Sequence, residues 1–158
     1  MSEALEIAQS MYDYLTSKPS LEYIYFSMFE DMMTLDEKGK YPFCNIEIDT
    51  IKYTNADNQD LTNMERHLYP VRLLMSNRNE AQKFIKLGDE GTSFKSIFDI
   101  WEEIYAEIQL DRSFGNNEIS SKPYRPVFIC GIQQRPDGKF WLGRAMTIFE
   151  VYKDRFLK

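Results

Sequence analysis

The chain has 158 residues, 43% of them hydrophobic and 15% aromatic, with 19 basic against 25 acidic side chains and a net charge of −6. That length and apolar content suit one folded domain with a real core and exclude an intrinsically disordered chain. The acidic surplus excludes tight non-specific nucleic-acid binding, and no apolar run approaches the roughly 18 residues of a membrane span.

The first residues, MSEALEIAQS, are acidic rather than basic. No secretory signal is therefore expected, and synthesis in a reducing cytosol is. Residues 3–16 have the spacing of a helix, with Ala4, Ile7, Ala8, Met11, Tyr14 and Leu15 on one face. Ser2 is placed to cap it, Glu3 and Glu6 suit its positive end, and Lys18-Pro19-Ser20 ends it. Residues 21–33 fit both a helix and a strand. The strand formers Tyr23-Ile24-Tyr25-Phe26 favour a strand through about Phe29. Thr34 to Lys40 is polar and reads as a turn or loop.

Pro42 to Thr54 alternates as a strand, with Cys44, Ile46 and Ile48 on one face and Asn45, Glu47 and Asp49 on the other. After a loop at 55–63, Met64 to Ser76 is a second strand. His67, Tyr69, Val71, Leu73 and Met75 share its apolar face, and Arg66, Leu68, Arg72 and Leu74 lie opposite. Pro70 has no N–H to give, so it is expected at an edge or bulge. Glu80 to Leu87 is a candidate short helix.

The strongest helical signal comes next. Phe94, Ile97, Phe98, Trp101, Ile104, Tyr105 and Ile108 form one stripe, with acidic residues opposite, Thr92 or Ser93 as cap and Gly115-Asn116-Asn117 as stop. Ile100 and Leu110 fall off the stripe. Val127 to Gln134 and Lys139 to Tyr152 are strands, joined by the turn-forming Arg135-Pro136-Asp137-Gly138. The last strand carries apolar residues on both faces and is expected to be covered on both, either inside the fold or partly by a neighbour. The predicted fold is a single α+β domain over residues 1–158. An antiparallel sheet of about five strands, with mixed pairing as an alternative, is packed by an N-terminal helix and one long central helix.

The chemistry-bearing residues are sparse. His67 is the single histidine, it lies mid-strand, and neither cysteine sits in a nucleophile-elbow pattern. Cys44 and Cys130 lie in strand-like runs and read as buried free thiols, with a disulfide between them as the alternative. Glu47, Asp49 and Lys52 form the one acid-plus-lysine group that a metal-dependent nucleic-acid enzyme or its accessory subunit would use. A polar strand face explains them as well. Arg135, Lys139 and Arg144 accompany Trp141 and Phe140, but those two aromatics point to opposite faces of one strand and cannot form one stacking platform. The glycines are scattered, and the acidic loops lack the glycine and terminal glutamate of a calcium site. No catalytic residue, cofactor or metal is predicted.

The charge is unevenly spread. Residues 1–88 carry 14 acidic against 9 basic side chains, residues 89–118 carry 8 against 2, and residues 119–158 carry 3 against 8. Segments of opposite sign suit head-to-tail contacts between subunits.

In its order of elements the chain resembles the tail-completion or tail-terminator proteins of tailed phages. The resemblance rests on the first helix with the aromatic run YIYFSMF and on the hairpin from YPFCNIEIDTIKYT to HLYPVRLLMSNRNEAQKF. It rests also on the helix KSIFDIWEEIYAEI with a hairpin near the C-terminus. It implies a virion structural protein without catalytic residues, assembled in the host cytoplasm as a homo-oligomeric, hexameric ring. Such a ring sits at the head-proximal end of the tail, between tail tube and head or neck proteins, and DNA passes its lumen without specific binding. No membrane is involved. Trp141, Arg144, Phe149, Tyr53 and Tyr69 are the candidate interface residues. A head-completion or neck subunit and a cytosolic protein-binding adaptor are the remaining alternatives.

Overall fold

The computed structural model describes residues 2–48, 52–54, 64–79, 97–122, 129–134 and 141–156. Helix α1 spans Glu3–Thr16, as its periodicity predicts. The Ser2 side chain accepts from the Leu5 N–H at 3.2 Å, and Ile7, Ala8, Met11 and Leu15 are buried. A 3-10 turn at Pro19–Leu21 leads into strand β1, Tyr25–Met28. The favoured strand reading of this ambiguous stretch is the one found.

Residues 34–40, read as a loop, instead belong largely to helix α2, Met32–Lys38. Its signals are local ones. Asp31 caps the first turn by accepting from Met33 N–H at 2.8 Å, and Gly39 ends it at φ 63°. Only Leu35 of this helix is buried, so it has no apolar stripe to announce it.

Strands β2 (Phe43–Ile48), β3 (Lys52–Thr54) and β4 (Met64–Asn79) follow, then helix α3 (Ile97–Leu110). Strands β5 (Ile119–Lys122), β6 (Ile129–Gln134) and β7 (Trp141–Phe156) complete the chain. The strand order is β1-β2-β4-β7-β5, with β3 beside β4 and β6 beside β7. The α+β class holds, with three corrections to its details. Seven described strands replace about five. The sheet is mixed, because β1 runs parallel to β2 and every other pair is antiparallel. The described part of the middle helix is as long as α1, at 14 residues each. The candidate helix at 80–87 and the turn at 135–138 lie outside the described residues.

Strands β4 and β7 pair over their full 16 residues and form the spine of the sheet. On β4 the odd positions from His67 to Met75 are buried and the even ones half-buried, as the alternation predicts. Pro70 sits where the neighbouring pairing slips by one residue, between Ile48 opposite Val71 and Lys52 opposite Leu68. A missing N–H costs least at such a bulge-like interruption. On β7, Ala145 and Val151 are buried whereas Met146 and Ile148 are half-buried, so the strand is covered fully on one face only.

Helices α1 and α3 supply that cover. Ile7, Met11 and Leu15 from α1 and Ile97, Ile100, Trp101, Ile104 and Ile108 from α3 join Tyr69, Val71, Leu73 and Met75 in one core. Ile100 is buried and Phe98 is exposed, so α3 is turned relative to the predicted stripe. Tyr14 donates to the Glu107 carbonyl at 2.6 Å and Ser20 to the Glu107 carboxylate at 2.7 Å, tying the two helices together at the surface. Helix α2 lies on the opposite face, where Met32 and Asp36 meet Ser76 and Arg144. Among the described residues, no helix is long and apolar enough to cross a membrane.

Candidate interaction surface

The half-covered face of the sheet is built from cross-strand pairs of β4 and β7. Leu74 opposes Met146, Arg72 opposes Ile148, Leu68 opposes Tyr152 and Arg66 opposes Asp154. A short apolar centre of Leu74, Met146 and Ile148 is thus bordered by charged groups. Each border cation is held by a carboxylate: Arg72 by Glu47 at 2.8 Å, Arg66 by Asp154 at 2.7 Å, and Arg144 by Asp36 at 2.5 Å. Partly exposed pairs of this kind contribute at most about 1 kcal/mol each. Their main effect is to fix the direction of the guanidinium groups along the face.

At the corner between β1 and α2 the backbone is strained. Phe29 follows β1 with φ at 53°, a region that a bulky side chain rarely adopts and that costs on the order of 1–3 kcal/mol. Asn45 of β2 holds the chain there. Its side chain is fully buried, accepts from the Glu30 N–H at 3.3 Å and donates to the Glu30 carbonyl at 2.8 Å. It also accepts from the Ser27 hydroxyl at 2.9 Å and donates to Glu47 at 2.9 Å. The amide therefore replaces the ladder partner that Glu30 would otherwise lack. The turn it enforces points Phe29 outward, 49% exposed, close in sequence to Met33, 71% exposed. Two large apolar side chains are presented to solvent by a buried polar network, which is costly unless something covers them.

A second polar cluster lies beneath the start of α1. His67 is 3% exposed and its Nδ1 is 2.7 Å from Glu3. Lys153, opposite His67 on β7, pairs with Glu6 and lies 3.5 Å from Glu118. The histidine is thus packed, as its mid-strand position suggests, and serves with Lys153 to anchor the acidic first turn of α1 to the sheet. These partners lie 64 and 147 residues away in sequence and left no sequence signal.

Of the candidate interface residues, the structure describes the side chains of Tyr69 and Arg144, which lie on opposite faces of the sheet. Tyr69 is 1% exposed and belongs to the core, a correction that follows from its place on the helix-covered face of β4. In backbone register Tyr53 pairs with His67, Phe149 with Val71 and Trp141 with Asn79. Arg144 lies on the other face, bonded to Asp36 and Ser76. Of the acid-plus-lysine group, Glu47 is engaged by Arg72 and Asn45, and Asp49 lies outside the described residues. Cys44 is a buried free thiol, and burial pushes it well above the usual thiol range. Sequence reasoning missed Phe29 and Met33. The signals were Asp31 and Gly39, whose capping chemistry marks a helix short enough to leave its apolar residues outside.

No protein-family model matches the chain, and no curated protein matches it.

Proposed function

We propose that this chain is a non-enzymatic structural subunit of a phage virion. It would act like a tail terminator, in a homo-oligomeric ring at the head-proximal end of the tail. The ring is hexameric on the resemblance, joins the tail tube to head or neck proteins, and lets DNA pass. The observation that carries this reading is the surface just described. Its charged groups are engaged with one another, its apolar residues are exposed at a corner, and its end strands β1 and β5 have a described partner on one side only, which suits pairing with another chain. These are features of contact surfaces, whereas catalysis calls for convergent groups poised around a space. An acidic surplus also suits a lumen that must not grip DNA.

The test is native mass spectrometry across a concentration series, with negative-stain imaging of the same sample. Closed rings with a central hole are the expected result. A species that stays monomeric at every concentration counts against it and favours the second reading, an adaptor that binds one partner protein through the free edge of β1. That edge is the observation behind the adaptor, because β1 has a described partner on one side only.

A further inference from the structure

We infer that helix α2 is a hinged flap, latched over one end of the sheet by Arg144, and that its release uncovers apolar surface beside Leu74 and Met146. The inference goes beyond the reading of the chain as an assembly subunit and holds whether or not copies associate.

The packing of α2 carries the first part of the argument. Of its seven residues, only Leu35 is buried. Leu35 and Phe43 are buried but, among the described residues, lie outside the core that α1 and α3 form with the sheet. Phe43 shares the second face of β2 with Asn45 and stands opposite Ser76 of β4. The Met32 sulfur of α2 meets that same Ser76, which places the helix over this end of the sheet. A helix of seven residues does not hold its shape alone in water, so α2 depends on what ties it down.

The ties are chiefly polar, and one guanidinium makes most of them. Arg144 Nη2 donates to the Asp36 carboxylate at 2.5 Å, and Nη1 lies 2.7 Å from the Met32 sulfur and 2.9 Å from the Ser76 hydroxyl. Met32 and Asp36 are four residues apart and neighbours on one helix face, so a single side chain from β7 spans a full turn of α2. Tyr41 donates to the same Asp36 carboxylate at 2.5 Å. The Arg144 and Asp36 side chains both stay partly exposed, so water can compete for the contact.

The ends of the segment are fixed and its turning points lie beside them. Glu30 is held to β2 by the Asn45 amide, and the Pro42 carbonyl accepts from the Tyr25 N–H at 2.9 Å. Residues 31–41 run between these two points. Phe29, at φ 53°, stands just before the first, and Gly39, at φ 63° with no atom within 4 Å of an added Cβ, stands shortly before the second. The segment can therefore lift as a unit while β1 and β2 stay paired. Lifting leaves Phe43 and Arg144 on an open sheet face next to Leu74 and Met146, which enlarges the apolar centre of that face.

Hydrogen exchange read by mass spectrometry on the full chain tests the latch, with Arg144→Gln and Asp36→Asn. Peptides covering residues 31–41 are expected to exchange about tenfold faster in either variant, while peptides from α1 and β4 keep their wild-type rates. The double variant adds little to either single one, because both groups act through one contact. Asp36→Asn alters a partly exposed side chain at nearly constant volume, so it reports on the latch even where Arg144→Gln weakens the whole domain. Unchanged exchange over residues 31–41 in both variants overturns the inference. A rise of equal size across α1, β4 and α2 in Asp36→Asn also overturns it, because α2 then opens only with the rest of the fold.

Discussion

At the scale of single residues, the strongest dependence is on Asn45. Its own fully buried side chain satisfies groups from Ser27, Glu30 and Glu47. Asn45→Ala leaves the Glu30 backbone without these bonds and is expected to cost about 2–3 kcal/mol by urea unfolding. A loss within error of zero would show that the corner holds itself. Cys44 is fully buried and its thiol is raised by desolvation, so it should resist a disulfide reagent in the native state at mildly alkaline pH. In a Cys130→Ser background, labelling should begin only on unfolding, and rapid native labelling contradicts the packing described. Asp31 and Asp111 lie below the usual carboxylate range. Asp31 is lowered chiefly by the Thr34 hydroxyl and the Met33 N–H, and Asp111 by the hydroxyl and N–H of Ser113. A depressed folded-state value means stability that is present above the unfolded value, about 3.9, and lost as pH falls through the folded one. Wild type should therefore lose stability below about pH 4 more steeply than the Asp31→Ala/Asp111→Ala double variant. Parallel pH profiles would remove these two groups from the acid response.

At the scale of elements, the helices differ in what makes them form. Helix α1 has caps and an apolar stripe, and both were legible in the sequence. Helix α3 has the stripe, yet packing against β4 and β7 turned it so that Ile100 went in and Phe98 came out. An aromatic wheel cannot say which side of a wide apolar sector meets the sheet. Ile104, fully buried, marks the centre of the α3 contact, and Ile104→Ala should cost about 2–5 kcal/mol in thermal or urea unfolding. Helix α2 depends on its ends instead. Gly39 has φ at 63° and no atom within 4 Å of an added Cβ, so Gly39→Ala tests backbone strain without a clash. A loss of about 1 kcal/mol is expected.

At the scale of the whole molecule, among the described elements α1 and α3 cover one face of the sheet fully and α2 covers the other in part. The exposed part of that second face carries paired charges around a small apolar centre. Association through this charge-bordered face should weaken as salt is raised from about 0.05 to about 0.5 M, because the Debye length shrinks from near 14 Å to about 4 Å. Sedimentation velocity reads this directly. Association that strengthens with salt would point to the apolar corner alone as its cause.

The sequence by itself determined the α+β class, the first helix with its Ser2 cap, the alternation of β2 and β4, and the opposite charge of the chain's segments. Those are local properties: period, capping chemistry and composition act within a few residues of themselves. Only the tertiary structure decided the parallel pairing of β1 with β2, the place of α2 on the second face, and the partners of His67 and Lys153. It also decided that Tyr69 is core, and that Phe29 is strained and exposed. Each of these depends on groups brought together from distant parts of the chain. Strand order and the face a helix covers are set by the summed packing of the whole domain, which no window of sequence contains.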